Sequence, residues 1–222
     1  MGTITVEKAN ELFWLGRYAE RVYTTLRGYF GGYDRMIEAE ENYYIDFCKS
    51  VDVPNVYTSK RDFLEKYPFD TENPDSILSN LYRAYDNAMV LREEIQTETL
   101  SYIQLSIYDM KKARVSVAPL IEMQKVIDNL LAFWGSVDDQ VDDEKTRSII
   151  KLGRRVERID LYLRFHSPYD KLEREKTKLA KRIVRTGLKF DNEKLGELSE
   201  MIENQDIQLN QAIEIIESLV EV

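Results

Sequence analysis

The 222-residue sequence predicts an all-α fold, a single-domain multi-helix bundle with two pseudo-symmetric central helices. Three observations carry that prediction. Apolar residues recur at helical spacing almost throughout. Period-2 alternation is absent, and so are the Asn-Gly and Asp-Gly pairs that mark tight hairpins. With 32% charged residues but only 9 Gly and 5 Pro, the chain has the composition of long helices with solvated faces.

The elements follow in order. Val6 to Phe30 reads as the first helix, with Thr5 as its N-cap and Gly31-Gly32 as its end. Asp34 to Val51 reads as a second, followed by a loop at Val53-Pro54-Asn55 and a short helix over Ser59 to Tyr67. Asn73-Pro74 marks a helix start that runs to about Glu94, because Asn caps free N–H groups and Pro suits the first turn. Thr97 starts a helix to about Lys112, and Ser116 one to about Trp134. Gly135 to Asp143 reads as a polar break, and Glu144 to Phe165 as a long helix stopped by Ser167-Pro168. Two helices close the chain, Asp170–Thr186 and Asn192–Val220, with Gly187 between them. No low-complexity linker interrupts residues 1–222, so one domain is expected, with 170–222 as a C-terminal helical hairpin. There, basic residues from Lys171 to Lys189 would face Glu193, Glu197, Glu200, Glu203 and Asp206.

Composition excludes several classes. A net charge of −9 argues against non-specific nucleic-acid binding and against adsorption to anionic lipid. The single cysteine, Cys48, forbids an intrachain disulfide and a cysteine-based zinc site. No apolar run approaches the roughly 20 residues of a membrane span, and Met1 to Asn10 lacks a signal-peptide core. A cytoplasmic protein is expected, with no membrane or nucleic-acid partner and no cofactor.

Two segments repeat one another. Leu12 to Arg27 and Ile149 to Arg164 share seven identities over sixteen positions: Leu-Gly-Arg, Glu-Arg and Leu-Arg at the same spacing. Average residue usage would give about one. On a helix, Leu12, Leu15, Ala19, Val22 and Leu26 form an apolar stripe opposite Arg17, Glu20 and Arg21. The second copy sets Leu152, Val156, Ile159 and Leu163 against Arg154, Glu157 and Arg158. Gly16 and Gly153 cost about 1 kcal/mol each relative to Ala, which a helix accepts where a backbone or ligand comes close. The two polar stripes are therefore expected to meet, Glu20 with Arg154 or Arg158 and Glu157 with Arg17 or Arg21. Two carboxylates against four guanidiniums leave positive charge to be matched. Either other acids such as Asp160 or Glu98 complete a structural network, or an anion does, held by bidentate arginines.

These motifs resemble the alpha-E domain family, a bacterial all-helical family named for its ER motif. Its Leu-Gly-Arg-Tyr-x-Glu-Arg segment is matched by Leu15 to Arg21, and its second copy by Leu152 to Arg158. Its Asn-Pro-x-Ser-Ile-Leu stretch, followed by Asn-Ala and Arg-Glu, is matched by Asn73 to Leu78, Asn87-Ala88 and Arg92-Glu93. Arg155 stands where the second copy would carry Tyr, and the last two helices hold no shared motif. The resemblance spans about Ala9 to Arg164. It implies an uncharacterised helical accessory or binding protein acting with an ATP-grasp-type amide ligase, or a transglutaminase-like protein, in peptide or amide-bond synthesis or modification. It supplies no catalytic residue.

Three functional readings result. In the first, the accessory protein binds its ligase or the peptide product through Arg17, Glu20, Arg21, Arg154, Glu157 and Arg158. In the second, the same cluster belongs to an enzyme acting on a carboxylate or phosphate substrate. In the third, Asp138, Asp139 and Asp142 hold Mg²⁺ against a diphosphate, although acids beside a helix start also have a purely electrostatic reason to be there. Di-iron carboxylate chemistry is excluded, because it needs two Glu-x-x-His motifs and His166 is the only histidine.

Overall fold

The structure is a computed structural model that describes residues 4–38 and 42–222, the Glu38 side chain apart. Helix α1 (Val6–Glu38) is capped by Thr5, whose Oγ1 accepts from the Lys8 N–H at 3.2 Å. It does not stop at Gly31-Gly32. Met36 continues the buried stripe of Leu26 and Tyr29 beyond Phe30, and Gly32 leaves room for the Tyr43 ring. Tertiary packing thus outweighs the glycine penalty. Of the helix expected over Asp34 to Val51, residues 39–41 lie outside the described residues; the remainder divides between α1 and α2 (Tyr43–Ser50).

Helix α3 (Lys60–Lys66) follows, with Ser59 Oγ accepting from the Asp62 N–H at 3.1 Å. Tyr44, Phe47, Tyr57, Phe63 and Tyr67 close over Tyr29 of α1 as a buried aromatic cluster, in which Phe63 stacks on Tyr67 with ring centres 4.9 Å apart. Helix α4 (Ile77–Val90) begins three residues later than Asn73-Pro74 suggests. Ser76 is its cap, accepting from the Ser79 N–H at 3.0 Å, while Asn73 makes the preceding turn by accepting from the Asp75 N–H.

Helix α5 (Arg92–Val115) carries a sharp kink at Gln96, whose φ of +69° interrupts the helix just before Thr97. Helix α6 (Pro119–Gln140) keeps Pro in its first turn, where no N–H is needed. It runs through the expected break at Gly135, because Ser136 and Val137 extend its buried face. Only residues 141–143 separate it from α7 (Glu144–Arg164), which Asp143 caps by accepting from the Thr146 N–H at 2.7 Å.

The C-terminal hairpin is more divided than expected. Helix α8 (Tyr169–Ile183) ends before Gly187 at φ +69°. The final helix is two, α9 (Asn192–Glu203) and α10 (Leu209–Glu217), separated where Gln205 adopts φ +55°. Two-residue strands, β1 (Lys189–Phe190) and β2 (Val220–Glu221), pair antiparallel around α9 and α10. Lys176 of α8 reaches Glu203 of α9 at 2.6 Å, but Arg182 and Arg185 turn instead to Glu144 of α7.

One apolar cluster extends from Ala9 to Leu219. At its centre α1 lies along α7. Helix α4 packs on α1, α5 pairs with α6, and α8 and α10 cover α7. No described helix is long and apolar enough to cross a membrane.

Candidate functional site: the paired Glu-Arg helices

The two glycines set the approach of α1 to α7. A Cβ on Gly16 would fall on the backbone carbonyl oxygen of Ile150, and one on Gly153 on that of Phe13, both inside the 3.0 Å that real Cβ atoms keep. Each contact is the image of the other, since Phe13 and Ile150 both lie three residues before their glycine. Farther along, Gly28 meets the Phe165 ring, again at matching positions, so the helices run in the same direction and in register. An approximate twofold therefore relates the two copies.

The polar stripes meet on that axis. Glu157 accepts from Arg17 Nε at 2.6 Å and from Arg21 Nε. Glu20 accepts from Arg154 Nε at 3.1 Å and, through both oxygens, from Arg158 Nε at 2.6 Å and Nη2 at 2.9 Å. All six residues singled out in the sequence are thus brought together. Glu20 is 0% and Glu157 1% exposed, so neither carboxylate has solvent as an alternative partner. Thr24 Oγ1 also donates to Glu20 at 2.7 Å.

Two further acids of the protein approach the surplus guanidinium charge, each with a closer arginine of its own. Arg21 lies 3.9 Å from Asp160, and Arg158 lies 3.9 Å from Glu175 of α8, which also binds Arg155. Of the two acids named in advance, Asp160 is present, whereas Glu98 is exposed on α5. Glu175 takes the place offered to Glu98. Its signal was its register, three residues after Leu172 and four before Leu179 on the buried face of α8. Aromatic faces complete the shell: Arg17 lies 4.8 Å from the Trp14 ring, and Arg154 4.2 Å from the Trp134 ring of α6.

Ionisation follows from this arrangement. Burial pushes the Glu157 carboxyl up, but Arg17 and Arg21 together more than reverse that and hold it below its ordinary value. Burial lowers Arg154 to about 10 despite Glu20, with Arg158 and Arg155 adding repulsion. Asp160 is raised to about 6 by burial and by the nearby Glu157 charge, against the pull of Arg164 and Arg21.

A family model described as Alpha-E, a predicted alpha-helical domain with a conserved ER motif, matches residues 7–214. The chain belongs to the Alpha-E family. The ER motif reads here as Glu20-Arg21 and Glu157-Arg158, the dipeptides just placed face to face. Neither the curated proteins nor the solved structures contain a match to this Alpha-E chain.

The Asp-rich segment is arranged differently from a metal site. Asp138 pairs with Lys151 of α7, Asp139 accepts from Gln140, and Asp142 is exposed. Among the described residues no group of three His, Cys, Asp or Glu is placed to hold a metal ion.

Asp160 gives the Alpha-E core a pH signature. The unfolded chain releases this proton near the ordinary aspartate value of 3.8, while the folded chain keeps it to about pH 6. Between those values rising pH favours unfolding, and above them the folded state carries a penalty on the order of 3 kcal/mol. Asp160→Asn keeps an acceptor for Arg164 and removes the titration. Its stability relative to wild type should rise between pH 4 and pH 7, measured by urea unfolding at each pH. A pH-independent difference would contradict the assignment.

Proposed function

We propose that this Alpha-E protein is a non-catalytic binding component whose duplicated ER motif is a structural lock. The reading adds that it acts beside an ATP-grasp-type amide ligase, or a transglutaminase-like protein, in peptide or amide-bond synthesis or modification, holding the ligase or its product. One observation carries the structural half: each ER carboxylate is buried and claimed by two arginines of the opposite repeat. A carboxylate that acts on a substrate would be left open to it, and neither Glu20 nor Glu157 is.

The nucleophiles support the same reading. Cys48 is buried, and that burial raises its thiol to about 11, so little thiolate forms at neutral pH. His166 is exposed at φ +48°, past the end of α7. The partnership half rests on the family resemblance.

The test mixes the purified chain with an ATP-grasp-type amide ligase from the same organism. The expected result is a co-migrating complex on size exclusion and faster product formation by the ligase, with no ATP turnover by the Alpha-E chain alone. Separate elution together with unchanged ligase turnover would remove the partnership. Turnover by the chain alone would remove the non-catalytic reading.

A further inference from the structure

The duplicated motif is symmetric in its pairing and asymmetric in its cover. At the Arg21 end, Tyr67, Asp75 and Asn80 close over the guanidinium and leave a cavity of about 10 Å³, room for one water. At the equivalent Arg158 end the network opens into a cleft of about 550 Å³, within the range of small-molecule sites. The break in symmetry has a sequence cause. Asp160 of the second copy corresponds to Tyr23 of the first, so Arg21 faces a carboxylate where Arg158 faces a ring, 5.6 Å from its centre.

The cleft's chemistry is unusual for a chain of net charge −9. Its wall carries Arg27, Arg158 and Lys171 together with Tyr23 and Tyr162, and no acidic side chain among the described residues. Arg158 is held by Glu20 and so is fixed in place. Arg27 lies 5.8 Å from the Tyr23 ring and donates to Tyr23 Oη at 3.4 Å; among the described residues no carboxylate pairs with it. The Lys171 ammonium has no partner among them either. Both side chains are exposed at the rim of the cleft, where unpaired cations raise the positive potential at its mouth.

Backbone observations agree. Gly31 lines the same cleft from the interior of α1, and nothing in the described protein lies within 4 Å of where its Cβ would be. Gly31 is exposed, so the fold leaves that part of the helix surface open to a molecule lying in the cleft.

We propose that this cleft binds a small anion, a carboxylate or phosphate carried on a flat or apolar body. Arg27 and Lys171 meet the charge, and Tyr23 and Tyr162 meet the body. The site is distinct from the buried ER pairs, which orient Arg158 without being available to a ligand. The inference does not depend on the ligase partnership.

The experiment is calorimetric titration of the full chain at low salt with inorganic phosphate, adenosine monophosphate, adenosine and a glutamyl dipeptide. Saturable binding of an anionic probe, weaker at higher salt, is expected, and the preferred probe tells phosphate from carboxylate. Arg27→Ala and Lys171→Ala should each weaken that binding by about tenfold or more, as loss of a charge-assisted contact does. Gly31→Leu should abolish it without lowering the melting temperature, because leucine is the better helix former at an exposed position. No saturable anion binding by the wild type overturns the proposal. So does binding that all three variants retain, which would place the anion elsewhere.

Discussion

Gly16→Ala and Gly153→Ala are each expected to destabilise the protein by about 3 kcal/mol or more, reversing the gain that alanine brings to an ordinary helix interior. The reason is the identity of the obstacle. Either new Cβ meets a backbone carbonyl oxygen and, beside it, a backbone nitrogen, Arg154 N at 3.0 Å for Gly16 and Arg17 N at 3.2 Å for Gly153. A side chain could rotate aside; a helix backbone moves only by carrying its neighbours. Separating α1 from α7 would stretch all four Arg–Glu pairs together and open the core they share with α4 and α8. For a chain of this length the loss corresponds to a fall in Tm of roughly 6–12 °C. Gly135→Ala is the internal control. It lies in α6 with nothing within 4 Å of its Cβ position, so it should stabilise by up to about 1 kcal/mol. Thermal unfolding of the three variants decides the matter by sign: a stable Gly16→Ala protein would mean that α1 and α7 do not touch through their backbones.

The pairing of α1 with α7 was legible because its determinants are local and duplicated. A glycine, a carboxylate and two arginines at fixed helical offsets specify one contact surface, and its repetition specifies the partner. What lies around that surface was less legible because it comes from other elements. Trp134 arrives from α6 to lie over Arg154, the position corresponding to Trp14 being Lys151 in the second copy. Glu175 arrives from α8. The cleft at Arg158 could not be read at all, since it is made by the space between helices. Boundary errors share a cause as well. Gly31-Gly32 and Gly135 carry strong breaker signals, yet buried residues on both sides keep the helices intact. The split between α9 and α10 has the opposite problem: Asn204-Gln205-Asp206 contains neither Gly nor Pro, and only the absence of apolar residues over Glu203 to Asp206 marks it.

Removal of the ER carboxylates should be as costly as the glycine substitutions, and unequally so. Deleting one member of a buried charge pair typically costs about 3–5 kcal/mol, because the remaining charge stays in low dielectric. Glu20→Ala strands Arg154 and Arg158, whose side chains are each 12% exposed. Their fallbacks are the Trp134 ring and Glu175, which already serves Arg155. Glu157→Ala strands Arg17 and Arg21, but Arg21 is 28% exposed and has Asp160 at 3.9 Å. Losing Glu157 also removes a charge that keeps Asp160 protonated, so Asp160 ionises more readily and takes over as counter-ion. Glu20→Ala is therefore expected to be the more destabilising, by about 1 kcal/mol, in urea unfolding at pH 7. Lowering the pH to 5 should narrow the gap, because Asp160 is then more protonated and rescues Arg21 less in Glu157→Ala. Equal losses for the two variants at both pH values would show that the pseudo-twofold extends to the surroundings of the motif, and that Asp160 plays no part in neutralising it.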